Sequence, residues 1–235
     1  MPKLCLMLVE GPFDRQRLSV LSSLFDEDKL VLIPFGTDVL QIKSYFDDYE
    51  SRIKSILSKE KTHEFSDFDE IVQVCDTDGC FIRDVDVVED TSIRKIVYKT
   101  NKIIVKDRNN VLLARTNKRE NIEQLLLEGK IDLYYNSTNI DHVFDNLQNP
   151  SSSDKKQKSM DMYNKYKSDG LGLLEVLVQL CPDNSSYERS WNYIKQDHHS
   201  LERATNIIHF VIKHSDSLKA EYKQRLSKLI EEANK

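Results

Sequence analysis

Apolar residues follow two rhythms along this chain. Continuous runs at residues 4–9 (Leu4-Cys5-Leu6-Met7-Leu8-Val9), 30–35, 71–75 and 131–135 are short and bounded by turn residues, the pattern of strands buried on both faces. Between the first three runs the apolar positions recur every three or four residues. Leu18, Leu21, Leu24 and Phe25 form one stripe, and Gly11-Pro12 opens its helix, since proline suits the first helical position. Val39, Ile42, Tyr45, Phe46, Tyr49, Ile53, Ile56 and Leu57 form a second, longer stripe, with Gly36-Thr37-Asp38 as turn and N-cap. A β-α-β-α-β run of this kind predicts an α/β fold: a mostly parallel, Rossmann-like sheet flanked by helices and joined by right-handed crossovers.

After Gly79 the rhythm changes. Residues 93–98, 102–106 and 111–114 read as short strands, the last two joined across Asp107-Arg108-Asn109-Asn110, giving an added β-hairpin over residues 93–115. Thr116 or Asn117 then caps a helix carrying Ile122, Leu125 and Leu126, which Gly129 ends. Residues 147–158 are polar and hold Asn149-Pro150 and three serines, the composition of a linker. The expected organisation is an α/β domain over residues 1–146, that linker, and a helical C-terminal region over residues 159–235.

Charge sharpens the picture because it is unevenly spread. The 235 residues carry a net charge of −5, which alone argues against nucleic acid as a partner. Yet residues 64–90 hold ten acids and one base, while residues 94–119 hold nine bases and one acid. A basic segment beside an acidic one suits an enzyme that neutralises a phosphate backbone while its acids hold metal. Lys99, Lys102, Lys106, Arg108 and Arg115 are the expected contacts to DNA or RNA; the plainer alternative is a solvated hairpin edge studded with lysines. No apolar run reaches the ~18 residues of a membrane span. The run at residues 4–9 lacks the basic flank and cleavage pattern of a signal peptide. Four scattered cysteines make neither a disulfide framework nor a zinc site, so a reducing cytoplasm and no membrane partner are expected.

The candidate chemistry lies where two strands run out. Residues 4–9 lead into Glu10-Gly11-Pro12-Phe13-Asp14, and residues 71–75 into Asp76-Thr77-Asp78-Gly79. Ligands of open α/β sheets collect at the carboxyl ends of strands. Carboxylates gathered there repel one another unless a cation lies between them, and oxygen ligands suit Mg²⁺ or Mn²⁺. Asp76 and Asp78 converge only if the backbone turns sharply, which Gly79 permits. His142 follows the strand at 131–135 and is an accessory candidate for holding a phosphate or moving a proton. A histidine packed beside Val143 and Phe144 is more often structural.

Strand–Glu-Gly followed by strand–Asp-x-Asp-Gly resembles the Toprim domain of primases, topoisomerases and ribosomal-RNA maturases. Leu8-Val9-Glu10-Gly11-Pro12-Phe13-Asp14-Arg15 is similar in particular to the opening of overcoming-lysogenization-defect (OLD) nucleases. The resemblance implies a Mg²⁺- or Mn²⁺-dependent nuclease of the phage-defence or RNA-processing kind. Glu10 would be general acid/base or metal ligand, Asp76 and Asp78 metal ligands, and Asp14 a further ligand. Metals ~3.5–4 Å apart both neutralise a phosphodiester and activate its attacking water. The chain departs from the common domain in its long Glu10–Asp76 interval and its basic segment. It carries no P-loop, so any motor would come from a separate ATPase polypeptide.

Two other readings remain open at this stage. Asp-x-Asp-Gly after a strand also resembles haloacid-dehalogenase-type phosphatases, with Asp76 as nucleophile, but that leaves Glu10 unexplained. Alternatively the chain is a catalytically silent subunit that binds a partner or nucleic acid through its helical region. Oligomeric state is not written in the sequence.

Overall fold

The computed structural model describes residues 1–37, 40, 49–60, 62–147 and 149–234. The apolar runs form a four-stranded, all-parallel sheet of β1 (Lys3–Val9), β2 (Leu30–Gly36), β3 (Glu70–Asp76) and β7 (Asp132–Asn136), in the order β2-β1-β3-β7. β1 pairs with both β2 and β3 in parallel register, Leu6 lying opposite Ile33 and Ile71. The chain therefore leaves β1 to one side and returns to pair on its other side. Between β1 and β3 the strand order reverses, and a crevice opens at their carboxyl ends.

Alternation along β1 sends side chains to both faces, as a doubly covered parallel sheet requires. Cys5, Met7 and Val9 join a core with α1 (Pro12–Leu18), α5 (Ser152–Tyr166), α6 (Gly170–Leu180), α8 (Ile208–Lys213) and α9 (Ala220–Ala233). Leu6 and Leu8 face Ile53 and Leu57 of α2 (Tyr49–Glu60). Further along that face, Cys75, Leu133 and Tyr135 pack on α3 (Arg108–Glu128) and α7 (Tyr187–Ile194). The C-terminal helices thus share a core with the sheet. The expected helix from Val39 is described only from Tyr49 onward; its earlier apolar positions Val39, Ile42, Tyr45 and Phe46, and the cap Asp38, lie outside the described residues.

Two expectations need correction. Residues 111–114 are helical: α3 starts at Arg108, where Asp107 is the N-cap and its side chain accepts the Asn110 backbone N–H. The four residues read as a hairpin turn are that cap and first turn. The second sheet is instead small and mixed, with β6 (Ile103–Val105) parallel to β4 (Val87–Glu89) and antiparallel to β5 (Val97–Tyr98). The misreading has a physical cause. The buried stripe of α3 is Arg115, Lys118, Ile122 and Leu125, so its first two turns place cations where apolar residues would mark a helix. The polar stretch at 147–158 likewise turns helical at Ser152, behind a capping box in which Ser151 and Asp154 bond each other's backbone N–H.

Candidate active site

The reversal between β1 and β3 places both acidic motifs in one crevice. Glu10 follows β1 directly, and its Oε1 accepts the Asp76 backbone N–H at 3.0 Å. Asp76 ends β3, and its Oδ1 accepts the Ile140 backbone N–H at 3.1 Å and the Asn136 Nδ2 at 3.2 Å. Ile140 opens α4 (Ile140–Asp145), which is N-capped by Asn139, so β7 and α4 together orient the aspartate.

The backbone then turns left-handed at two successive residues, Asp78 (φ 49°) and Gly79 (φ 64°). Only glycine suits the second position, because a Cβ there would lie 2.8 Å from the side chains of both Ile103 and Leu201. The turn is fastened from two sides. Asp78 N–H donates to the Thr138 carbonyl at 2.8 Å, and Arg115 donates through Nη2 to the Gly79 and Ile82 carbonyls at 2.9 and 2.7 Å.

Lys118, from the buried stripe of α3, reaches into the acids. Its Nζ lies 2.8 Å from Glu10 Oε1 and 2.5 Å from Asp78 Oδ2, and its side chain is only 7% exposed. Burial alone would lower this ammonium, but Asp78, Glu10 and Asp76 carry it well above its usual pKa. Asp76 moves well above the carboxylate range, through burial first and then the charges of Glu10, Asp14 and Asp78, against Lys118. Asp14, in the first turn of α1, is raised to about 6 by burial; Lys155 opposes the rise and Asp141 adds to it. The carboxylates of Glu10, Asp14 and Asp78 all act on Asp76, and Lys118 opposes them there.

The donor set suits a hard divalent cation. Every candidate ligand is oxygen, and Asn136, whose Nδ2 bonds Asp76, has a buried Oδ1 without a hydrogen-bond partner among the described residues. Among the described residues, no group of three or more His, Cys, Asp or Glu side chains already closes to metal-holding geometry. Between Glu10 and Asp78 stands the Lys118 amine.

The basic residues divide in two. Lys99, Lys102 and Lys106 are exposed on and after the β5–β6 turn. Arg108 and Arg115 are engaged with the protein: Arg108 donates to the Val87 and Asp84 carbonyls at 2.8 Å, and Arg115 holds the Asp78–Gly79 turn. His142 is buried in α4, its Nδ1 has no hydrogen-bond partner among the described residues, and burial followed by Arg203 lowers its pKa. Sequence reasoning missed Lys118 as a member of the site. The one available signal was its three- and four-residue spacing from Arg115 and Ile122.

No family model matches the chain, and no curated protein or solved structure matches it either. No helix among the described residues is long and apolar enough to cross a membrane, and all four cysteines are buried free thiols.

Proposed function

We propose that this chain is a Toprim-like, Mg²⁺- or Mn²⁺-dependent phosphodiesterase acting on DNA or RNA. One observation carries the reading: Glu10, Asp76 and Asp78, from the ends of two adjacent parallel strands, meet in one crevice, where Lys118 bonds Glu10 and Asp78. With every group ionised this set bears surplus negative charge, which adds to burial in raising the Asp76 pKa. A divalent ion would relieve it. Glu10, Asp76 and Asp78 would hold the ion, with Asp14 as a further acid, and the ion would neutralise the non-bridging oxygens of a phosphodiester. Lys118 is placed to hold a phosphate oxygen or its leaving group near the same acids.

Glu10 belongs to the same cluster as Asp76, which favours the phosphodiesterase reading over a phosphatase with Asp76 as sole nucleophile. A second reading rests on Lys118: an internal ammonium already pairing two of the acids suits a silent, binding-only subunit. Cleavage assays on single-stranded and duplex DNA and RNA, with Mg²⁺ or Mn²⁺, separate the two. Metal-dependent cleavage that disappears in Asp76→Asn and Asp78→Asn, with the fold intact, is expected. Unchanged activity in both variants overturns the proposal, and binding without cleavage in every metal supports the silent subunit.

A further inference from the structure

The acidic crevice is flanked by two cavities that share a wall. The first, about 390 Å³, lies between α3 and the β5–β6 hairpin. Ile96, Tyr98, Ile103 and Val111 give it apolar sides, and Asp78 and Lys118 line it from the candidate active site. The Asn117 side-chain amide makes no hydrogen bond among the described residues, and the buried Arg115 Nη1 makes none among them either, its nearest acid being Asp84 in an ion pair at 3.8 Å. The second cavity, about 430 Å³, lies across Ile96 and Tyr98. Arg94, Lys95 and Lys155 line it, together with Asn139, the cap of the helix whose first amide holds Asp76.

We propose that the first cavity takes one unpaired nucleobase and the second the neighbouring backbone phosphates, so that the substrate is single-stranded nucleic acid. The inference rests on the phosphodiesterase reading and deepens it. The first cavity sits at the small end of the roughly 300–1,000 Å³ range of ligand sites, room for a nucleotide but not for a duplex. A flat base has the chemistry this space offers: apolar contact and stacking for its faces, and an amide for its donor and acceptor edge. Three basic side chains on the other flank suit consecutive phosphates. A strand crossing from one cavity to the other passes the acids at a phosphodiester. A paired base could enter only after leaving its stack, which costs a few kcal/mol; single strands avoid that cost.

The test is anisotropy of a labelled single strand of about 12 nucleotides and of its duplex, in EDTA, with metal binding followed separately by calorimetry. The single strand is expected to bind at least about tenfold tighter than the duplex. Ala114→Trp, which fills the first cavity from an exposed position on α3, should weaken single-strand binding about tenfold while leaving Mn²⁺ binding and thermal stability unchanged. Ala114→Leu should do the same to a smaller degree. Arg94→Glu with Lys95→Glu should weaken binding and flatten its salt dependence. Equal affinity for both nucleic acids, no binding to either, or wild-type affinity in both Ala114 variants overturns the inference. Single-strand preference without metal binding would keep the inference and sink the metal-dependent reading instead.

Discussion

Strand β3 carries a carboxylate at each end, and the two ends behave in opposite ways. At the amino end, Glu70 is met by Lys3 at 2.5 Å, Lys213 at 2.6 Å and His214 at 3.2 Å, while Lys213 also bonds Asp132. Burial would raise the Glu70 pKa, but His214, Lys213 and Lys3 hold it well below the usual range. At the carboxyl end, Asp76 meets three other acids and one lysine, and moves well above that range. One strand and one residue class thus end in opposite directions: burial raises both, neighbouring acids reinforce it at Asp76, and His214, Lys213 and Lys3 overcome it at Glu70. A matched cluster adds to stability; a surplus of acid subtracts from it. On the reading proposed above, the acids at the strand-order reversal are kept together for a cation from outside the chain.

The largest expected effect comes from removing the Lys118 amine. Lys118→Met leaves Glu10 and Asp78 without their bonded cation in a half-buried crevice, and should cost about 3–5 kcal/mol in urea unfolding. Much of that loss should return with Mg²⁺ or on adding Asp78→Asn. A loss below about 1 kcal/mol would mean that the acids are not under charge strain.

Neutralising the two ends of β3 should move stability in opposite directions. Glu70→Gln removes a well-paired charge and should cost about 1–3 kcal/mol. Asp76→Asn keeps the acceptor that Ile140 N–H and Asn136 use while removing a repelled charge. It should raise metal-free stability by about 1 kcal/mol. Destabilisation by both substitutions, read from the same denaturation curves, would erase the contrast between the ends.

The pH dependence follows with its sign. Asp14, raised from about 4 to about 6, keeps its proton longer in the folded state than in the unfolded chain. Its contribution therefore falls as pH rises through that window. Glu70, depressed in the fold, contributes fully above its unfolded value near 4.5 and loses that contribution as pH falls. Melting curves at intervals from pH 2 to pH 7 should show the Glu70 slope below about 4.5 and the opposing Asp14 slope up to about 6, with Glu70→Gln removing the first and Asp14→Asn the second. The smallest effect belongs to Lys102→Ala with Lys106→Ala: these exposed residues should change stability by no more than about 0.5 kcal/mol while weakening nucleic-acid binding at low salt.

The carboxyl end was largely legible in the sequence because parallel strands buried on both faces must be continuous apolar runs, and a ligand edge must follow them. Glu10, Asp76 and Asp78 stand at that edge, and Gly79 at the turn they need. Lys118 escaped the same reasoning because a charged residue at helical spacing reads as surface until a partner acid is known to lie opposite. Arg115 escaped for a related reason: a base in a run of bases looks like a phosphate contact, whereas this one spends two of its nitrogens on backbone carbonyls. The amino end was not legible at all. Lys213 and His214 reach Glu70 from far along the chain, a pairing that only the packed C-terminal helices create.

The most direct test is calorimetric titration of Mn²⁺ into wild type, Glu70→Gln and the Asp76→Asn/Asp78→Asn double variant at neutral pH. The account predicts binding in the first two and none in the third. Equal binding in all three proteins, or none in wild type, would contradict the claim that the surplus of acid at the carboxyl end of β3 exists to hold a cation.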